Sequence, residues 1–399
     1  MKLGRFIDTE LAKILEQKGL DRNPELWREK LDRIGAEEVE RALAEPPGAY
    51  SLRKLSALVS PAAENYIEEM AQAARQLTVQ RFGRTMRLYG PLYVSNYCSN
   101  SCRYCGFNRL NKSRRTRLTI EQALEDADII AEKGFRDILL VSGEDRQFVT
   151  IDYLAELARR LRSRFASISM EVYQMSRAEY ARLFEAGIEG VTIYQETYDR
   201  RAYDYYHPAG PKSNYDDRLT APDSIAGAGM REVGLGALLG LTDWRVETLA
   251  LAEHAHHLVK RYWKSHVSFS FPRLRPIQST LASDGSPCAE TPNARYRMQD
   301  MNLVQMITAL RLCFADAGLV LSTREPARLR DNLIKLGITK ISAGSKTNPG
   351  GYSGRNDAIE QFEVDDSRPP EQVVGMIESQ GFEPVWKDWD RAFLDAESN

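Results

Sequence analysis

The residues most able to do chemistry are three cysteines that fall within eight positions, Cys98, Cys102 and Cys105 in the segment CSNSCRYC. Thiolates bind iron strongly, and a short loop can direct three of them to three corners of a cubane cluster. The fourth iron is then open to a small molecule that chelates it through an amine and a carboxylate. A structural zinc site usually takes four ligands in paired C-x₂-C units, and the chain has no second pair. The spacing therefore predicts a [4Fe–4S] cluster.

The bulk composition narrows the class of protein. The other two cysteines, Cys288 and Cys313, stand alone in the sequence. We therefore expect no disulfide framework, and we expect the protein to lie in a reducing compartment. A net charge of −2 over 399 residues gives no electrostatic reason to expect nucleic acid or an anionic membrane as partner. The amphipathic start MKLGRFIDTELAKILEQ lacks the apolar stretch of a signal peptide. We expect a cytoplasmic protein.

The elements that must position the cysteines form a repeating pattern. Eight β-rich runs, each followed by a polar turn and a helical stretch, predict a parallel (βα)₈ TIM-type barrel over residues 86–345. The runs are 88–96, 136–143, 167–173, 190–196, 232–240, 266–272, 318–325 and 337–344. Residues 1–85 predict a helical N-terminal extension, in which Ser60 and Pro61 begin a long helix to Phe82. Residues 346–399 predict a short C-terminal extension that closes the barrel and includes one helix, Pro370–Gln380.

Residues suited to chemistry fall at the carboxyl ends of these runs, where active sites of such barrels gather. They are Cys98, Glu144, Glu171, Glu196, Arg324 and Ser342. This coincidence supports the barrel and places one site at its mouth.

The motif C-x₃-C-x-(aromatic)-C at the end of the first predicted strand, with the barrel pattern, resembles the radical S-adenosylmethionine (SAM) superfamily. The resemblance implies SAM on the open iron, with Tyr104 against the adenine. Ser142-Gly143-Glu144 is similar to the family's Gly-Gly-Glu element, which receives the methionine amino group, although Ser142 departs from it. Glu196 is similar to the acidic residue that binds the ribose hydroxyls. For Gly143 and Glu144 the alternative is a plain turn with a surface glutamate.

Two further residues are candidates for the SAM pocket. Arg218 resembles the arginine that pairs with the methionine carboxylate, a role that suits a planar fork of donors. The alternative is an arginine on a helix surface. Glu171 is a candidate for the same pocket, against the alternative of a structural salt bridge.

Longer strings narrow the resemblance within the superfamily. YQETYDRRAYDYYHPAGPKSNYDDRL, SFSFPRLRP, LSTREPARLRDNLIKLGITKISAGSKTNPGGY and VWKDWD resemble the tyrosine lyases, and more narrowly the 2-iminoacetate synthases, which make dehydroglycine for the thiazole ring of thiamine. The [FeFe]-hydrogenase maturases also cleave tyrosine, but they carry a second cluster on further C-terminal cysteines. Here the last cysteine is Cys313. Formation of carbon monoxide and cyanide is therefore not expected.

An amino-acid substrate is also supported by residue chemistry. Arg324 can clamp a carboxylate bidentately, and Ser342, with the backbone N–H groups that follow it, can complete the cradle. The related lyases hold the substrate carboxylate at the corresponding residues. The alternative is a surface pairing of Arg324 with Glu325 or Asp331. Tyr93 and Ser95, two apart on the first strand, are expected on one face and could line a phenol pocket.

The resemblance implies that SAM is cleaved to methionine and a 5′-deoxyadenosyl radical, which takes a hydrogen from the amino nitrogen of L-tyrosine. The Cα–Cβ bond then breaks to give dehydroglycine and a p-cresol-type fragment. Implied partners are thiazole synthase and a flavodoxin or ferredoxin-type reductant. One alternative is a lyase for another aromatic amino acid such as tryptophan. Another is an iron–sulfur carrier or scaffold, which would need no nucleoside pocket.

Overall fold

The computed structural model describes residues 10–277, 294–355 and 358–387, so Cys288 and the end of the string VWKDWD lie outside the described residues. At its centre is a closed barrel of eight parallel strands, in which each strand pairs with the next and the first pairs with the eighth. The strands are β1 (Thr85–Ser95), β2 (Asp137–Ser142), β3 (Ser167–Glu171), β4 (Gly190–Thr192), β5 (Glu232–Gly236), β6 (His266–Ser270), β7 (Gly318–Leu321) and β8 (Lys340–Ser342). The predicted (βα)₈ barrel is confirmed.

The strands are almost continuously buried, because helices cover the outside of the barrel while side chains fill the inside. Every predicted run overlaps a strand, but regular pairing ends earlier than the apolar pattern does. The regular strand of the fourth run covers only Gly190–Thr192, and Glu196 lies beyond it in the mouth of the barrel, in an isolated parallel bridge with Ala237.

Helices connect the strands and set the length of the loops at the mouth. They are α6 (Ile120–Glu132), α7 (Ile151–Leu161), α8 (Arg177–Ala186), α9 (Arg200–Tyr206), α10 (Tyr215–Gly227), α11 (Trp244–Arg261), α12 (Asp300–Cys313) and α13 (Ala327–Leu333). The side chains of Thr119, Thr150 and Ser176 accept backbone N–H groups at the start of α6, α7 and α8. Such caps fix the residue at which each functional loop must end.

The helices that precede β1 are α1 (Glu10–Lys18), α2 (Pro24–Asp32), α3 (Ala36–Ala44), α4 (Leu52–Val59) and α5 (Ile67–Phe82). The expectation of one helix from Pro61 to Phe82 is wrong, because Pro61–Tyr66 forms a 3₁₀ helix and the α-helix begins at Ile67. The hydroxyl of Ser60 donates to the carbonyl of Ala57, at 2.7 Å. It therefore closes the preceding helix and does not cap the next one.

After β8 the chain forms α14 (Pro370–Ser379) and β9 (Glu383–Val385). The helix agrees with the sequence pattern, whereas β9 was not predicted and pairs in parallel with the start of β1. The division into segments 1–85, 86–345 and 346–399 stays a prediction. Among the described helices, none has the length and apolar character needed to cross a membrane.

The amino-terminal end of the barrel holds a network of buried charges. The carboxylate of Asp137 lies 3.1 Å from Arg87 Nη2 and 2.8 Å from Lys340 Nζ. Lys340 Nζ also lies 4.0 Å from Glu232, which accepts a hydrogen bond from Ser268. These groups come from five of the eight strands, β1, β2, β5, β6 and β8. Three of them, Arg87, Glu232 and Lys340, line a cavity of about 650 Å³ at this end.

Candidate active site

The loop after β1 carries Cys98, Cys102 and Cys105 at the carboxyl end of the barrel. Cys102 is 5% exposed, and the other two are half-buried. All three are free of disulfides. Burial raises the pKa of the Cys98 and Cys102 thiols, and the charge of Cys105 raises both further, so the three side chains lie near one another. The predicted cysteine cluster is therefore brought together.

Three free thiols on one short loop are the donor set that a cubane cluster takes. No three His, Cys, Asp or Glu side chains within the described ranges converge on one metal position, whereas a cubane spreads three thiolates over three irons. Burial raises the pKa of Cys98 to about 11, and backbone N–H groups of Asn100 and Glu144 act in the opposite direction. The backbone N–H of Phe107 does the same for Cys105. Hydrogen bonds of this kind to sulfur tune iron–sulfur clusters.

Arg115 holds the cysteine loop in shape. Its guanidinium donates at 2.5–3.0 Å to four backbone carbonyls of the loop, those of Asn96, Phe107, Asn108 and Asn111. Arg115 was not predicted from the sequence, because other residues of KSRRTR are equally basic and only the fold selects this one.

Beside the loop, Glu144, Glu196, Lys212 and Arg218 form a buried cluster of two acids and two bases, hereafter the charge cluster. Lys212 Nζ lies 2.5 Å from Glu196 Oε1 and 3.6 Å from Glu144 Oε1. Arg218 Nη1 donates to Glu144 Oε1 at 2.9 Å, and its Nη2 lies 4.0 Å from Glu196 Oε1. Lys212 is only 7% exposed and was not singled out by the sequence. The surface alternatives for Glu144 and Arg218 are therefore wrong.

Glu144 joins the charge cluster to the cysteine loop. The side-chain amide of Asn100 donates to Glu144 Oε2 at 2.9 Å, and the Glu144 carbonyl accepts from the backbone N–H and the hydroxyl of Ser99. Burial alone would raise the pKa of Glu144, but Arg218 and Lys212 outweigh it and hold the pKa below its ordinary value. Before it, Gly143 permits close approach, because a Cβ there would collide with the carbonyl oxygen of Tyr97. A glycine is required at this position.

Glu196 has an unusual backbone. Its φ of +69° lies in the left-handed region, which a residue other than glycine rarely adopts. The Glu196 carbonyl accepts from Leu238 N at 2.7 Å. The next two residues bond to the buried carboxylate of Glu247, which accepts from the Thr197 hydroxyl at 2.5 Å and from Tyr198 N at 2.9 Å. Strain of this kind persists only where the surroundings fix it.

Tyr104 lies next to the charge cluster. Its hydroxyl is 2.7 Å from Nε2 of His207, whose Nδ1 is 2.8 Å from the carbonyl of Tyr203. Burial lowers the pKa of His207 to about 3, so the imidazole is neutral at physiological pH. The contact between His207 and Tyr104 spans 103 residues of the chain, so no local sequence pattern indicates it.

Two adjoining cavities open inside the mouth. The outer cavity, about 50 Å³, is lined by Tyr104, Cys105 and Glu196 among others. The inner cavity, about 60 Å³, is lined by Tyr93, Ser342 and Ser345 among others. Glu171, Tyr194, Arg324 and Phe362 line both. Residues expected at the cofactor and residues expected at the substrate therefore meet at one place.

Arg324 faces these cavities. Its guanidinium lies over the Phe362 ring, 3.4 Å from the centroid, and its Nη1 donates to the carbonyl of Arg273 at 3.4 Å. The two acids offered as surface partners are engaged elsewhere, Glu325 with Arg273 and Asp331 with Arg368. The surface alternative for Arg324 is therefore wrong.

Ser342 and Ser345 line the inner cavity together with Arg324. The Ser342 hydroxyl accepts from Thr323 N at 3.1 Å, which ties β8 to the loop after β7. The Ser345 hydroxyl is buried and has no hydrogen-bond partner among the described residues. An unpaired hydroxyl in a cavity wall can bond to a polar ligand.

Tyr93 lines the inner cavity, and its hydroxyl donates to Gln361 Oε1 at 2.8 Å. The expectation that Ser95 shares this face is wrong. The register of β1 against β2 shifts between Tyr93 and Ser95, which breaks the period of two. Ser95 is fully buried, and its hydroxyl accepts from Tyr97 N.

Glu171 is the last residue of β3 and faces the inside of the barrel. Burial raises the pKa of its carboxyl, while a hydrogen bond from Tyr194 and the charge of Arg324 act against that rise. The described residues place no Lys, Arg or His side chain within ion-pair distance of it. The structural salt bridge is therefore not observed.

A three-thiol loop after the first strand of a parallel barrel, next to a buried charge cluster, defines a class of enzyme. The model of the Radical SAM superfamily matches residues 92–252, and that of the Biotin and Thiamin Synthesis associated domain matches residues 270–383. The solved structure of HydG, a maturase of the [FeFe]-hydrogenase, is 30% identical with a TM-score of 0.82, over 94% of this chain and 83% of that chain.

Curated relatives narrow the class. The 2-iminoacetate synthase of Escherichia coli (strain K12) is 43% identical over 89% of this chain and 91% of the relative. The enzyme of the same name from Salmonella typhimurium is 44% identical, again over 89% and 91%. The chain therefore belongs to the radical SAM superfamily and, within it, to the family of 2-iminoacetate synthases.

Proposed function

We propose that this chain cleaves the Cα–Cβ bond of L-tyrosine to 2-iminoacetate (dehydroglycine) and p-cresol, for synthesis of the thiamine thiazole. The observation that carries the proposal is the outer cavity, where Cys105, Glu196 and Arg324 line one space. A thiol of the cysteine loop, a carboxylate of the charge cluster and a cation suited to an amino acid thus meet there. Membership of the 2-iminoacetate synthase family supports this reaction.

We assign the [4Fe–4S] cluster to Cys98, Cys102 and Cys105, with SAM on the iron that they leave open. The mutual proximity of the thiols and the N–H groups directed at Cys98 and Cys105 support the assignment. When bound, the cluster and SAM supply the one-electron chemistry that removes a hydrogen atom from the substrate. The chain's own residues bind, orient and exclude water.

The charge cluster suits the polar groups of SAM. Glu144 offers a carboxylate for the methionine ammonium, and Arg218 offers a guanidinium for its carboxylate. Glu196 offers two acceptors to the ribose hydroxyls, and Tyr104 offers an aromatic face to the adenine. Gly143 lets the loop approach closely. Lys212 bridges both acids, and we assign it the task of keeping them ionised and in place.

The inner cavity suits the amino-acid substrate. Arg324 is placed to hold the carboxylate, and Ser342 with the loop after it forms the wall beside that position. Tyr93 contributes its ring and its hydroxyl to the same space. Arg324 acts by fixing the substrate and takes no acid–base part, because a guanidinium stays protonated.

Partners and compartment follow from the same chemistry. An imine hydrolyses in water, so direct transfer to a thiazole synthase would protect the product. A flavodoxin or ferredoxin-type protein is the proposed reductant. We also propose a reducing cytoplasm as the compartment, because the three cysteines must stay reduced to bind iron as thiolates.

One anaerobic assay tests the reaction. Reconstituted protein is given L-tyrosine, SAM and dithionite, and p-cresol and 5′-deoxyadenosine are measured by mass spectrometry. We expect both p-cresol and 5′-deoxyadenosine when L-tyrosine is present. Without L-tyrosine we expect no carbon–carbon cleavage and therefore no p-cresol. Cleavage of L-tryptophan in preference to L-tyrosine would contradict the substrate, and SAM cleavage with neither amino acid consumed would contradict the lyase.

A further inference from the structure

We propose that Glu171 is the ammonium subsite of the amino-acid pocket, so that Glu171 and Arg324 together hold the two opposite charges of an α-amino acid. The inference rests on the proposed function, which supplies the amino-acid substrate. It replaces the role in the SAM pocket that the sequence suggested for Glu171.

The position of Glu171 supports this role. It ends β3, opposite Val141 of β2, at the level where the barrel opens into its mouth. Glu171 and Arg324 both line the inner and the outer cavity. A substrate whose carboxylate meets Arg324 would therefore carry its α-nitrogen at the junction of the cavities. The hydrogen that the proposed reaction removes is on that nitrogen.

The charged residues at the mouth of the barrel differ in whether they have an ion-pair partner. Glu144 and Glu196 bind Arg218 and Lys212, and Glu325 binds Arg273. By contrast, Glu171 and Arg324 have no ion-pair partner within 4.0 Å across the described ranges, and no other carboxylate–cation pair lines both cavities. Two unpaired charges of opposite sign thus face one space.

The electrostatics favours a zwitterion over a simple acid or amine. Burial raises the pKa of Glu171 because its carboxylate has lost water, and the hydrogen bond from Tyr194 and the charge of Arg324 offset that cost only in part. An ammonium carries three donors and no acceptor, so it suits a buried carboxylate that lacks a cation. Sites built to hydrogen-bond one polar group strongly reject analogues without it. The pair should therefore select α-amino acids against aromatic acids of the same shape.

The experiment compares ligands that differ in one charge. The anaerobically reconstituted enzyme, with SAM and without reductant, is titrated with L-tyrosine and with 3-(4-hydroxyphenyl)propanoate, which lacks the amine. We expect Glu171→Gln to weaken L-tyrosine about 10- to 100-fold, the range of one charge-assisted hydrogen bond. Binding of the propanoate should change by less than about threefold, because that ligand makes no such bond.

Two further variants complete the design. Arg324→Gln should weaken both of these ligands but not tyramine, which lacks the carboxylate. Glu232→Gln makes the same substitution in the barrel at its other end and should leave all ligands unaffected. Glutamine can still accept the hydrogen bond of Tyr194, so the Glu171 variant should fold and should retain its iron and its affinity for SAM.

Three results would overturn the ammonium subsite. They are equal weakening of L-tyrosine and the propanoate, unchanged affinity for L-tyrosine, and a loss confined to SAM. If the wild type binds L-tryptophan but not L-tyrosine, the tyrosine assignment fails separately. The subsite then stands if Glu171→Gln weakens L-tryptophan and spares 3-(indol-3-yl)propanoate, and falls if both weaken alike.

Discussion

The two ends of the barrel both hold buried charges, but they use them differently. At the amino-terminal end, Asp137 of β2 binds Arg87 of β1 and Lys340 of β8, three strands that lie side by side in the barrel. At the carboxyl end, the charges come from the end of β3 (Glu171), from the loops that follow the strands and from helix α10 (Arg218). There Glu196 has a strained backbone, and Glu171 and Arg324 have no ion-pair partner in the described parts of the chain. The buried charges at the amino-terminal end pair with one another, whereas some of those at the carboxyl end remain available to ligands.

Paired and unpaired buried charges contribute differently to stability and to function. A closed charge network lowers the cost of burial, so breaking it should damage folding. An open charge costs stability and is retained where a ligand completes it. Substitutions at the two ends should therefore affect different measurements.

The largest effect is expected from the cysteine loop. Cys98→Ala, Cys102→Ala or Cys105→Ala should each abolish the bound iron and all SAM cleavage, because each removes the ligand of a separate iron. Iron content and absorbance after anaerobic reconstitution measure this. Cys313→Ala is the matched control, a buried cysteine distant from the mouth, and should retain the cluster. A requirement for Cys313 would contradict the three-ligand account.

The closed network should respond in stability alone. Asp137→Asn leaves Arg87 and Lys340 buried without their shared carboxylate, and we expect it to lower the free energy of unfolding by about 3–5 kcal/mol. Urea unfolding measures the loss. Asp128→Asn, at a half-exposed pair with Arg164, should cost less than about 1 kcal/mol. A large fall in tyrosine cleavage per folded molecule of Asp137→Asn would contradict the claim that the amino-terminal network contributes to stability alone.

Arg324→Ala should reduce activity, whereas Asp137→Asn should reduce stability. The Arg324 substitution should reduce kcat/KM for L-tyrosine by about 100-fold or more, the loss of a bidentate charged contact, and leave iron content and SAM affinity unchanged. Product formation under anaerobic single-turnover conditions measures it. Near wild-type cleavage by this variant would remove Arg324 from the substrate site.

The smallest expected effect is a pH dependence at Glu247, which supports the strained residue Glu196. Burial raises the pKa of Glu247 from its ordinary 4.5 to about 7, with Asp199 adding to the rise and hydrogen bonds from Thr197, Thr242 and Tyr198 N opposing it. The folded protein therefore binds this proton more tightly than the unfolded chain does. Its stabilising contribution is complete below about pH 4.5 and is lost as the pH rises through about 7.

A shift of that size corresponds to about 3 kcal/mol. The free energy of unfolding of the wild type relative to Glu247→Gln should fall by up to this amount between pH 5 and 8. Urea unfolding across this range measures it. Parallel pH profiles for the two proteins would show that Glu247 has no raised pKa in the folded state.

Periodicity predicted the eight strands, and their carboxyl ends predicted where the functional residues gather. The contacts between loops could not be predicted in this way. Lys212 reaches Glu196 from a 3₁₀ turn, and His207 reaches Tyr104 across 103 residues, so neither contact has a local signal. The prediction that Ser95 shares a face of β1 with Tyr93 was wrong, because a register shift interrupts the period of two. β9 was missed because three residues carry no distinct pattern.

The central claim is that three thiolates leave one iron open for SAM at the mouth of the barrel. Electron paramagnetic resonance of the reduced, reconstituted protein, recorded with and without SAM, tests it most directly. We predict one [4Fe–4S]⁺ signal that changes when SAM is added and that persists in Cys313→Ala. A signal that SAM leaves unchanged, or a cluster with four protein ligands, would contradict the account.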